Sequence, residues 1–202
     1  MLLIRSITAA TRPELLVTVS DTNCISDLTF DWTEKANSYF RYNHTAWVIG
    51  GCISQYLMDI LLFSALIVWT WKHRCTRVFF TSLLFYSIRS QVQTYFYLNR
   101  IDGFIYDDPG PFSLTIAYFD TNDFYYSGHC GSCTMYMLEM FALGHTYWGS
   151  FYLCMLIFQW CYLTFYRVHY IIDLLFGVVV AISVHRLAEC VCHLLDGFAQ
   201  RL

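Results

Sequence analysis

Tyr126-Ser127-Gly128-His129 and Arg167-Val168-His169-Tyr170-Ile171-Ile172-Asp173 are the two stretches of this 202-residue chain whose residue types and spacing suit chemistry. His169 and Asp173 stand four apart at the mouth of an apolar run, so a helix there sets them one turn apart on one face. A carboxylate so placed holds an imidazole in one tautomer and leaves the other ring nitrogen to act as a nucleophile, which suits attack on phosphorus. His129 follows a Ser-Gly turn and offers a second imidazole, suited to protonating the oxygen that leaves. Ser127, Gly128 and Tyr170 are the neighbours expected to line the substrate. Arg167 is the nearest side chain able to steady phosphate oxygens by paired hydrogen bonds.

The elements that must position these residues read as membrane helices. Hydrophobic residues make up 57% of the chain, charged residues 13% and aromatics 19%, far from the balance of a soluble domain. The net charge of −3, with no gathered basic patch, excludes nucleic acid as a partner. Apolar runs long enough to be spans, or nearly so, cover 46–71, 78–98, 129–145, 147–166 and 170–195. Residues 1–45 form a polar segment without a convincing signal peptide, 46–195 a transmembrane domain and 196–202 a short tail. The last run loses hydrophobicity at His185 and Arg186, which predicts an interfacial amphipathic end.

Threading the runs up and down places the loop Asn99–Gly128 and the turn at Arg167–His169 on one membrane face, so the two histidine motifs meet there. Lys72, Arg74 and Arg77 gather on the other face, which the positive-inside tendency makes cytosolic. The histidine face is then lumenal or extracellular, in Golgi, endoplasmic reticulum or plasma membrane. Its loop carries Asp102, Asp107, Asp108, Asp120 and Asp123 against Arg100. Arg89, deep in its run, requires a partner. Equal depth across the hairpin points to Asp59, depth from the catalytic face to Glu139, and the functional alternative is a cationic floor for a phosphate. His44, His73, His145 and His193 read as boundary residues. Cys130-x-x-Cys133 and Cys190-x-Cys192-His193 lack the second ligand pair of a zinc site and read as packing residues. The Asn43-His44-Thr45 sequon lies against the membrane surface, and its use is not expected.

Taken together, the two motifs resemble the lipid phosphotransferase branch of the type 2 phosphatidic acid phosphatase superfamily: sphingomyelin synthases and plant phosphatidylcholine:diacylglycerol cholinephosphotransferases. Asp123, six residues before His129, matches the sphingomyelin synthase motif. Gly131-Ser132, Leu138-Glu139-Met140 and Arg167 match the plant enzymes. The resemblance is specific over 123–177, weak over 77–122 and absent over 1–45. It implies an all-α, polytopic transmembrane helical bundle, with about five spans visible here and six in the family. The implied activity moves a phosphocholine or phosphoethanolamine head group from phosphatidylcholine or phosphatidylethanolamine to ceramide or diacylglycerol through a phosphohistidine. The catalytic residues are then His129, His169 and Asp173, with Asp123, Ser127, Gly128, Arg167, Tyr170 and Arg89 around the substrate, and neither metal nor cofactor is called for. A lipid phosphate phosphatase of the same superfamily is the alternative. Its Arg six residues before the nucleophile is replaced here by Leu163, and its upstream lysine motif is missing. A non-catalytic scaffold or transporter leaves the meeting of two histidine motifs unexplained.

Overall fold

Each of the five apolar runs is a helix in the computed structural model, which describes residues 27–68, 70, 76–96, 98, 101–116, 118 and 124–199. The helices are α1 (Leu28–Tyr42), α2 (His44–Val68), α3 (Thr76–Tyr95), α4 (Gly128–Ala142), α5 (Thr146–Phe165) and α6 (Ile171–Ala199). No strand occurs among the described residues, and the protein is an all-α helical bundle. Two of the described helices, α2 and α6 from Ile171 to Cys192, are long and apolar enough to cross a membrane.

The bundle is built around α4, which packs against α5 and α6 most extensively and also against α2 and α3. Its sequence dictates both ends. Ser127 takes an extended backbone and its side chain accepts from Cys130 N, the preferred chemistry of a helix N-cap. At the other end Gly144 adopts φ +77, His145 N bonds Met140 O at 2.8 Å and Gly144 N bonds Phe141 O at 3.0 Å. A left-handed residue that closes the last turn this way is usually glycine, because a Cβ is strained there. Cys133, Tyr136 and Met140 carry α4 into one apolar cluster with Met58 and Leu61 of α2, and Cys130 joins a second with Leu163 and Leu174. Both thiols of the Cys-x-x-Cys pair are thus in the packed interior.

Two expectations are corrected. The loop does not stay whole at the catalytic surface: Ile105 N still bonds Tyr166 O at 2.9 Å, but residues 109–115 run down the side of α2. Asp59 accepts from Thr115 N at 3.0 Å, from the Ser113 hydroxyl at 3.0 Å and from the Thr115 hydroxyl at 2.6 Å, while Gln55 Nε2 donates to Pro111 O at 3.0 Å. Asp59 stands fifteen residues past the first residue of α2, about 22 Å along it. Irregular backbone at that depth persists where protein satisfies it, and α2 supplies the partners. Second, α6 continues unbroken past His185, which is buried and meets Glu139 at 3.1 Å, so that position belongs to the packed bundle and not to the expected interfacial amphipathic end. Within the polar segment 1–45, α1 is capped by Asp27, whose Oδ1 accepts from Thr29 N at 2.9 Å. Lys72, Arg74, Arg100, Asp120 and Asp123 lie outside the described residues.

Candidate active site

The two histidine motifs sit at the N-termini of α4 and α6, and backbone contacts join those termini. Ser127 N donates to Asp173 O at 3.0 Å, and a Cβ on Gly177 would lie 2.6 Å from Ser127 O. Gly177 therefore lets α6 cross directly over the Ser-Gly-His turn. Nothing in the motif reading singled it out, although a lone glycine in an apolar run is the usual mark of close backbone approach.

His169 lies just outside α6 rather than on it, since the helix begins at Ile171. The pairing with Asp173 survives because Asp173, in the first turn, reaches back: its Oδ2 accepts from Tyr170 N at 3.1 Å and stands 3.5 Å from His169 Nδ1. This is the reach of an acid at the third helical position toward the capping residue's amide. Asp173 is fully buried and His169 nearly so, while Asp173 Oδ1 has no hydrogen-bond partner among the described residues. Catalytic hydrogen bonds are often long before substrate binds, so 3.5 Å suits a pair that tightens as charge develops on the ring. With Nδ1 turned to the carboxylate, Nε2 is the nitrogen left for chemistry. His129, also buried, is the second residue of α4.

Arg89 reaches this centre, not the acids expected to pair with it. Its Nε donates to Tyr126 O at 3.1 Å and its Nη1 to Gln93 Oε1 at 3.3 Å. A Cβ on Gly128 would stand 3.1 Å from the same Nε, so the guanidinium lies flat against the first residue of α4. Glu139 is instead held by Arg77 through two hydrogen bonds of 2.8 Å, with His185 on the same carboxylate. Asp59 is taken by the 113–115 backbone, as described above.

Arg167 departs from its expected place as a phosphate ligand. Its Nη1 donates to Asp102 O at 2.9 Å, and its Nη2 to Phe30 O at 2.9 Å and to the Glu34 carboxylate. The hydrogen bond from Arg167 holds the Glu34 carboxyl below its ordinary range. Ser127 serves as the cap of α4, and Tyr170 as the cap region of α6. Phe124 sets its edge on the His169 ring at 6.3 Å between centroids and packs on Tyr170 and Phe104 at 5.9 and 6.0 Å. Asp123 lies outside the described residues.

A cationic guanidinium and two helix N-termini, whose amides favour anions, thus converge where one imidazole is backed by a buried carboxylate. That arrangement can hold an anionic group such as a phosphate. The family model described as AtPDCT1/2, the phosphatidylcholine:diacylglycerol cholinephosphotransferases, matches residues 26–190, and the chain belongs to this family. The match opens just before α1 and closes inside α6, so it takes in both histidine motifs. No curated protein and no solved structure matches the chain. The protein is accordingly a phosphotransferase, and with its long apolar helices a membrane protein.

Proposed function

We propose that the protein moves phosphocholine from phosphatidylcholine to diacylglycerol through a phosphohistidine on His169. The observation that carries this reading is the joining of the α4 and α6 N-termini, which brings the His169–Asp173 pair against the Ser-Gly-His turn. Nε2 of His169 attacks phosphorus. The bond from phosphorus to the glycerol oxygen breaks, and His129 gives its proton to the departing diacylglycerol. A second diacylglycerol then binds. His129 takes the proton of its hydroxyl, the new phosphorus–oxygen bond forms, and the bond to His169 breaks to regenerate the imidazole. Asp173 stabilises the positive ring while it lasts. Arg89 and the amides of the α4 N-terminus stabilise the charge on the phosphoryl oxygens, which is where such transfers gain most of their rate.

Family membership favours diacylglycerol over ceramide as acceptor. The aromatic cluster of Phe124 and Tyr170 next to His169 is of the kind that recognises a quaternary ammonium, which favours choline over ethanolamine. Five spans threaded as expected from sequence put this centre at one membrane face, lumenal or extracellular.

The test is transfer from phosphatidylcholine labelled in its head group, in vesicles holding the purified protein and a diacylglycerol of distinct acyl chains. Label in the phosphatidylcholine of the new acyl composition supports the reading. Label in sphingomyelin when ceramide is supplied moves the acceptor to the sphingolipid branch, and free phosphocholine makes the protein a hydrolase.

A further inference from the structure

Arg167 occupies a place where glycine is the usual choice. It takes φ +52 at the end of α5, with Arg167 N bonded to Thr164 O at 3.2 Å and Val168 N to Leu163 O at 2.9 Å. This is the helix-ending geometry that glycine supplies at position 144, here adopted by a residue with a Cβ at a cost of about 1–2 kcal/mol. What the chain gains is a side chain. The Arg167 guanidinium grips α1 at Phe30 O and Glu34, lies 5.2 Å over the Phe30 ring, and ties down Asp102 O. Two further bonds link α1 to the same turn. Asp27 Oδ2 accepts from Ile171 N at 2.7 Å, and Asn37 Nδ2, fully buried, donates to Phe165 O at 2.9 Å. The α5–α6 turn that carries His169 is thus held on α1 by bonds to residues 165, 167 and 171.

The opposite face of α1 is apolar and outward. Leu28, Trp32, Tyr39 and Tyr42 are exposed and recur, with Lys35, at intervals of four, three, four and three residues, which is a single stripe on a helix. Asn43 alone separates α1 from α2, a helix of membrane-spanning length. The stripe therefore starts at the end of a span, the depth at which Trp and Tyr are enriched and where a Lys head reaches water.

We propose that α1 lies in the membrane surface through the Leu28, Trp32, Tyr39 and Tyr42 stripe, and that Arg167 is a positioning residue that fixes His169 against it. This rests on the transfer reaction proposed above for its kinetic arm. Seating α1 in the surface sets the height of the His169 turn relative to lipid head groups, and Asp27, Asn37 and Arg167 transmit that height.

Two measurements test it on the full chain in phosphatidylcholine vesicles. In the first, lipids brominated either near the head group or at the chain end quench tryptophan, and the Trp32 share is the difference between wild type and Trp32→Phe. Stronger quenching by the shallow bromine is expected. A Trp32 share quenched by neither lipid means that protein, such as another segment or a second copy, covers the stripe, and overturns the seating. In the second, Arg167→Gly relaxes the turn yet removes the grip, and Asp27→Asn keeps the α1 cap but sets an amide donor against Ile171 N. Each is expected to lower kcat tenfold to a hundredfold, with KM for phosphatidylcholine changed less than about twofold. A raised KM with unchanged kcat makes Arg167 a phosphate ligand, and wild-type kinetics in both variants removes the positioning role. Should the protein show no transfer activity, amide exchange over residues 166–173 replaces kinetics. Faster exchange in Asp27→Asn then supports the grip on the turn, and unchanged exchange overturns it.

Discussion

Replacing Gly177 by alanine tests the joined helix termini without touching any residue proposed to handle substrate. The added Cβ would lie 2.6 Å from Ser127 O, a backbone atom that cannot swing aside. To reach 3.4 Å, where ordinary contact begins, α6 must retreat from α4 by about 0.8 Å. That retreat strains the Ser127 N to Asp173 O bond, now 3.0 Å, and carries the His169–Asp173 pair away from the Ser-Gly-His turn. Overpacking of this kind costs about 1–3 kcal/mol, and alanine in a helix returns about 1 kcal/mol relative to glycine, so the net loss of stability is small, about 0–2 kcal/mol. Catalysis is more sensitive, because a misplacement near 1 Å costs up to about a hundredfold in rate. The expected outcome is a folded protein with a modestly lowered unfolding temperature, KM for phosphatidylcholine near wild type, and kcat reduced by about tenfold to a hundredfold, equivalent to about 1.4–2.7 kcal/mol of barrier. Gly51→Ala is the comparison, since its Cβ would meet Pro109 at 3.3 Å, a contact that yields with a small shift remote from the histidines. If Gly177→Ala turns over within about twofold of wild type, the rate does not depend on the α4–α6 contact, and the reasoning from joined termini to mechanism fails.

His129→Ala, His169→Ala and Asp173→Asn should each cut head-group transfer by more than about a hundredfold, Asp173→Asn least, because it keeps the geometry and loses only the charge behind the imidazolium. Single-turnover labelling of the enzyme phosphorus checks this, and a His169→Ala protein that still traps label would end the covalent route. Arg89→Lys should lower kcat by about tenfold through loss of the planar fork against Gly128, with the helical content unchanged by circular dichroism. Normal kcat would remove Arg89 from the transition state. Glu139→Leu removes both 2.8 Å hydrogen bonds from Arg77 and the His185 contact, leaving Glu189 at 4.0 Å, and should lower stability, while Arg77→Leu with Glu139→Leu should recover part of the loss. Additive losses in detergent unfolding would show that the pair is not coupled. Glu34, whose carboxyl is held low by Arg167, contributes stability that is present above its unfolded pKa and is lost as pH falls through the lowered folded value. The unfolding temperature of Glu34→Gln should therefore lie below wild type at neutral pH and converge with it in acid; a gap that persists in acid would refute the linkage.

The five helices with long apolar runs were legible because run length alone marks segments that must be helical to bury their backbone. The pairing of His169 with Asp173 was legible for a different reason: a spacing of four brings the two together even though His169 stands outside the helix. What counting along spans misjudged was the relative height of neighbouring helices. Arg89 of α3 is level with Gly128 of α4, and twelve residues earlier Arg77 is level with Glu139, eleven residues later. An antiparallel pair advances equally on both helices, so these two contacts describe one register. The expectation of Arg89 beside Glu139 displaced that register by eleven residues, about 17 Å. It assumed flush helix ends, whereas α3 runs on to Tyr95 past the level at which α4 begins. Asp59 failed likewise, because the sequence does not reveal that residues 109–115 descend beside α2 to meet it. The same register gives the buried ion pair a use at the other end of the bundle. Two hydrogen bonds of 2.8 Å between Arg77 and Glu139 forbid a slip of α3 along α4, and that slip is what would lift the Arg89 guanidinium off Gly128. A carboxylate eleven residues from Gly128 thereby fixes the height of the guanidinium that reaches His129's helix at its first residue.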